Sequence, residues 1–218
     1  MADEMEGMSG GEEGSVENQK VQLDAKLEGL FQQTEAAPEL AGPPRFWDVF
    51  AVGPYQVPAL QPSRILEVGE QATILTVVYL NPSVPSPYPG QNACDIITGF
   101  GAKIEFNYFT SNMQTLQPVP TLHRYHCLET TPGQCWYRDY WTFTPQDPAC
   151  LYCTNICVRI CNCDDYYVRQ YSGFARWVAN LDFDFIFGAP VWQFDHPIRY
   201  MVSDYRQRCE CNEPGNNR

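Results

Sequence analysis

The sequence predicts an all-β chain: a two-layer antiparallel β-sandwich, immunoglobulin-like before jelly roll, behind an acidic N-terminal arm with a short amphipathic helix. Three observations lead there. Hydrophobic residues make up 44% of the 218 positions and charged ones only 18%, enough apolar surface for one sizeable core. Proline (18) and glycine (15) are frequent, which favours short strands joined by tight turns over a helical bundle. From Phe46 onward apolar residues recur with period two, the mark of strands with one wet face.

Residues 1–16 are rich in Gly, Glu, Met and Ser without any pattern, and are expected to form a disordered acidic tail. Over 17–36, Leu23, Leu27, Leu30 and Phe31 fall at i, i+4, i+7 and i+8, one face of a helix. Gly29 weakens that helix by about 1 kcal/mol relative to alanine, so it needs a surface to lie on. A partner's groove would make these four residues the docking set. The chain's own domain is the alternative. Residues 37–45, rich in Pro and Gly, read as a linker, 46–212 as the sandwich, and 213–218 as a flexible tail.

Within the sandwich, QATILTVVYLN (71–81) is apolar on both sides and is expected to be a strand covered on both faces. In GFGAKIEFNYF (99–109), Phe100, Ala102, Ile104, Phe106 and Tyr108 share one face, opposite Lys103, Glu105 and Asn107. WVANLDFDFIF (177–187) alternates in the same way. Further strands are expected at 47–52, 64–68, 136–144, 155–162, 166–171 and 198–207, and no helix inside 45–212. TTPGQ, TPQDPA, YSGF and FGAP supply turn signals between them.

CLYCTNICVRICNC (150–163) holds five of the ten cysteines: Cys150, Cys153, Cys157, Cys161 and Cys163. Cys209 and Cys211 form a second C-x-C near the end. Three chemistries compete. Zinc prefers two C-x2–4-C pairs, and here one C-x2-C stands beside two C-x-C, a poorer chelate; no cofactor is assigned, and zinc or another metal at this cluster is the one candidate. Disulfides suit the even total but not the absence of a secretory signal at the N-terminus. Inert buried thiols are the third. If 155–162 is a strand, Cys157, Cys161 and Cys163 share a face with Arg159 while Ile156, Val158 and Ile160 take the other.

Two weaker metal candidates remain. HRYHC (123–127) offers His123, His126 and Cys127 if it is a loop; otherwise the histidines cap backbone groups. Asp182 and Asp184 fall on one strand face, where a plain solvated surface is the leading account and a cation the weaker one.

The formal charge is −12, with ten acids and two bases in residues 1–44. Such a chain is repelled by phosphate backbones and anionic lipid, which excludes nucleic acid as a partner. No stretch reaches the length of a membrane span. The cytoplasm is the default compartment, with the cysteine content pointing to an oxidising one. No nucleophile elbow, phosphate loop or dinucleotide fingerprint is present, so no residue is singled out as catalytic. The first functional expectation is therefore a structural or adaptor protein that binds protein partners or assembles with itself. A cysteine-based metal or redox module comes second. A carbohydrate-binding or hydrolytic sandwich using Trp47, Trp136, Trp141, Trp177, Trp192 and the aspartates comes third.

Overall fold

A computed structural model describes residues 10–36, 46–57, 59, 61–85, 89–146, 150–161, 171–178, 181 and 197–203. The expected linker 37–45 and tail 213–218 lie outside them, as do Cys163, Asp182, Asp184, Trp192, Cys209 and Cys211.

The fold is an all-β sandwich of two sheets. The elements are α1 (Gly10–Ala36), β1 (Trp47–Gln56), β2 (Ile65–Glu67), β3 (Ala72–Leu80), α2 (Ala93–Gly99), β4 (Lys103–Asn112), β5 (Gln117–Pro118), β6 (Arg124–Glu129), β7 (Trp136–Phe143), β8 (Leu151–Cys161), β9 (Tyr171–Phe174), β10 (Arg176–Val178) and β11 (Ile198–Ser203). One sheet runs β10-β1-β3-β7. The other runs β2-β11-β8-β4-β5, with β6 also on β4 and β9 also on β8. Pairing is antiparallel except at two outer positions, where β10 runs parallel to β1 and β2 parallel to β11.

The period-two pattern dictates the layers. Ile104, Phe106 and Tyr108 on β4, with Ala102 just before it, face Ile74, Val78, Tyr137 and Trp141 of the other sheet in one buried cluster, joined by Ile156, Val158 and Ile160 of β8. Every residue of β3 is buried, as its two-sided apolar sequence requires. Its second face, with Phe50, Val52 and Tyr55 of β1, meets Leu23, Leu27, Leu30 and Phe31 of α1.

The docking question is thereby answered within the chain. The four apolar residues of α1 cover the domain's own four-stranded sheet, and each contributes about 1.5–3 kcal/mol by leaving water. Polar contacts fix the helix: Asp24 accepts from Arg138 Nη2 at 2.8 Å and from the Tyr140 hydroxyl at 2.6 Å. Phe31 stacks on Trp136, ring centroids 4.8 Å apart. The helix also begins at Gly10, so residues 10–16, expected to lack structure, are its first turns.

Three further expectations are corrected. A helix does occur inside 45–212: α2 is nucleated by a capping box in which Asn92 Oδ1 accepts from the Asp95 N–H at 2.9 Å and Asp95 Oδ2 from the Asn92 N–H at 3.1 Å. Phe100 accordingly precedes β4 and is exposed. YSGF (171–174), expected to be a turn, is strand β9. Its glycine serves a close approach, because a Cβ at Gly173 would meet Trp47 Cη2 at 3.2 Å. Of the strand expected over 177–187, Trp177 and Val178 lie on β10, and 179–180 and 182–187 fall outside the described residues.

Candidate functional site

The segment HRYHC is not a loop but the start of β6, and strand geometry separates its ligand candidates. His126 points between the sheets, where Nδ1 lies 2.7 Å from Asp139 Oδ1. A carboxylate only accepts, so that nitrogen carries the proton. Cys127, next along the strand, pairs with Glu105 on the opposite face. His123 sits edge-on to Phe109 and its Nε2 lies 3.2 Å from the Thr110 carbonyl oxygen. Three donors aimed in three directions do not make a metal site.

What the sequence did not reveal is the cluster around Asp139. This β7 residue faces the interior and is 3% exposed. Oδ1 also accepts from Arg124 Nη2 at 2.9 Å, and Oδ2 accepts from the Tyr108 hydroxyl at 2.6 Å. Thr76 Oγ1, opposite Asp139 on β3, is 3.1 Å from the same phenol oxygen. Burial first, then the Asp139 charge, holds the Tyr108 phenol well above the ordinary tyrosine range. Both carboxylate oxygens are thus occupied by donors from the opposite sheet. The arrangement joins the layers rather than exposing a reactive group. The only available signal was an acid at an inward position of WYRDYWTF.

The cysteines divide in the same geometric way. Ile156, Val158 and Ile160 face the core, while Cys153, Cys157 and Cys161 occupy outward positions four residues apart, about 13 Å along the strand. That spacing is too long for them to share one ion. Cys150 is buried in the core cluster, and Cys127, Cys150, Cys153 and Cys157 are free thiols. Among the described residues no group of three or more His, Cys, Asp or Glu side chains could hold a metal. A disulfide is present, but between Cys94 of α2 and Cys135 before β7, 41 positions apart, a pair the sequence analysis did not single out. Nothing in the spacing of two isolated cysteines could have found it.

The described tryptophans serve packing. Trp141 is buried, and Trp47 and Trp177 pack against the central cluster. A cleft of about 390 Å³ runs along Leu122, Trp141, Phe143 and Tyr152. Those aromatic side chains are buried, so they offer edges rather than the open platform a sugar needs.

The remaining feature is a surface. The two sheets are covered unequally: α1 lies on the outer face of the four-stranded sheet. The outer face of the seven-stranded sheet carries Ile65, Phe109, Tyr125, Leu151, Phe174 and Met201, all between 41% and 59% exposed. The register makes them neighbours. Tyr125, Asn107, Cys157 and Phe174 form one cross-strand row, and Ile65, Met201 and Leu151 another. Beside the first row runs Cys127, Glu105, Arg159 and Ser172, with Arg159 Nη1 3.6 Å from Glu105 Oε2. Among the described residues, six of the nine exposed large hydrophobic ones lie here, a concentration that scattered surface residues do not produce.

Fold and surface together define a β-sandwich domain whose four-stranded sheet is covered by α1 and whose seven-stranded sheet, among the described residues, exposes six large apolar side chains on its outer face, with Cys153 and Cys161 buried at its margins. No family model matches the chain, and no curated protein matches it. Among solved structures, the C-terminal domain of wzt aligns with a TM-score of 0.40 at 6% identity, over 72% of this chain and 71% of its own. A CARDB domain from Pyrococcus furiosus, solved with di-metal ions, aligns at 0.32 and 9% identity, over 73% and 90%. The apo Calx CBD1 domain aligns at 0.29 and 14%, over 73% and 98%. Among the described residues no helix is long and apolar enough to cross a membrane.

Proposed function

We propose that the chain is a non-catalytic scaffold whose β-sandwich binds protein through the outer face of its seven-stranded sheet. The observation that supports this is the unequal cladding: the chain spends its own amphipathic helix on one sheet and leaves apolar and aromatic residues open on the other. Aromatic side chains ringed by polar groups are the usual composition of a protein contact surface. Asn107, Glu105 and Arg159 supply that polar setting among Phe109, Tyr125 and Phe174. The Asp139 cluster and the Cys94–Cys135 bridge support the reading as fasteners of a rigid platform.

A photoreactive amino acid at position 109 or 125 tests it. Irradiation in the native cell extract should give discrete protein adducts, and the same probe at Val21, exposed on α1, should not. Absence of any protein adduct from both sheet positions would contradict the proposal.

A further inference from the structure

We infer that the occupant of the open sheet is a second copy of the same chain, packed face to face about a two-fold axis. This rests on the proposed protein-binding role of that face and names its partner. The register shows the self-complementarity. An axis running along the strands between β4 and β8 exchanges their two sides. Glu105 then lies over Arg159 of the second copy, Tyr125 over its Phe174, and Asn107 over its Cys157, each pairing made twice. Rotation about that axis preserves strand direction, so the sheets meet in the aligned arrangement that sandwiches use, about 10 Å apart.

Charge points the same way. The chain carries −12 overall, and two such chains repel unless they meet where the charge is balanced. The outward strand positions of this face hold three cations, Lys103, Arg159 and Arg199, and three anions, Glu67, Glu105 and Glu129. A neutral face with alternating signs selects neither a basic nor an acidic partner, but it fits its own image. Size fits a reversible contact. Four strand widths by the stretch of β8 between Cys161 and Cys153, both buried on this face, give about 20 by 25 Å, roughly 500 Å² per copy, the small interface of a monomer–dimer equilibrium.

The test is the mass of the purified full chain by sedimentation equilibrium. The wild type should show a monomer–dimer equilibrium. Glu105→Arg and Arg159→Glu should each weaken dimerisation at least tenfold, because one stacks four cations at the contact and the other four anions. An equimolar mixture of the two variants should dimerise again, since each then faces its opposite. Tyr125→Lys, independent of the ion pairs, should also give monomers. A wild type that stays monomeric at all concentrations, variants that dimerise normally, or a mixture that fails to recover while both variants keep the wild-type circular dichroism, would overturn the inference. A monomeric wild type whose position-109 probe captures a different protein would remove self-pairing and leave the scaffold proposal standing. No adduct at all would remove both.

Discussion

The Tyr108 hydroxyl on β4 donates to Asp139 on β7 at 2.6 Å, a hydrogen bond that crosses from one sheet to the other inside the sandwich. With Arg124 and His126 on the same carboxylate, it makes Asp139 the polar centre of an otherwise apolar interface. Removing Asp139 should leave the mostly buried Arg124 without its counter-charge, whereas removing the Tyr108 hydroxyl deletes one donor. Asp139→Ala is therefore expected to cost about 3–5 kcal/mol and Tyr108→Phe about 1.5–3 kcal/mol, the range for a bond to a charged group. Urea unfolding of both variants checks the ordering.

Buried phenols set the alkaline limit of the fold. Burial raises Tyr55, Tyr108, Tyr137 and Tyr140, and pushes Tyr200 up to about 12. A phenol whose pKa is higher folded than unfolded holds its proton more tightly in the native state. Stability is then fully present below the unfolded value of about 10 and falls as pH rises above it. Thermal unfolding followed against pH should show a falling midpoint above about pH 10, with tyrosinate absorbance appearing together with unfolding.

The arm helix should behave as part of the domain. Leu27 is fully buried against the four-stranded sheet, so Leu27→Ala is expected to cost about 2–5 kcal/mol. Helical circular dichroism and tryptophan fluorescence should be lost in one transition, and separate transitions would show a helix that is not docked.

Backbone constraints give a sharper test at Gly53. Its φ is +118°, and a Cβ there would lie 2.9 Å from the Thr73 carbonyl oxygen, at the bulge where β1 and β3 shift register. Gly53→Ala should lose about 1–3 kcal/mol from the backbone conformation alone, measured by the same denaturant method. Gly29→Ala, on an open helix position, should instead stabilise by about 1 kcal/mol.

The layered architecture was legible in the sequence because burial enforces a period of two. KIEFNYF and ICVRIC each state which face is wet, and the structure places those faces as written. Elements whose cause is local but brief were not. α2 is one capping box and two turns, too short to show a helical period. β6 alternates charged, aromatic and sulfur side chains with almost no aliphatic residue, so hydropathy carries no signal there. The Asp139 cluster depends on residues from β3, β4, β6 and β7 meeting across the sandwich, and no linear spacing encodes that. The cysteine run is dense in sequence, but the strand it forms spreads its alternate residues along its length, a separation that linear spacing does not display.

Thiol chemistry separates the cysteine classes. In the native chain without reductant, Cys127 and Cys157 should alkylate first, Cys150 and Cys153 only on denaturation, and Cys94 and Cys135 only after reduction. Replacing both bridged cysteines by alanine should cost about 2–4 kcal/mol, the range for closing a loop of this size. Peptide mapping of the labelled sites decides it.

Hydroxyl-radical footprinting of the dilute, monomeric chain tests the central claim most directly, since it compares the two outer faces in one sample. Phe109, Tyr125, Phe174 and Met201 should oxidise readily, while Phe50, Tyr79 and Leu75 beneath α1 stay protected. Equal protection of both faces, or oxidation concentrated on the α1 side, would contradict a sandwich with one clad sheet and one open one.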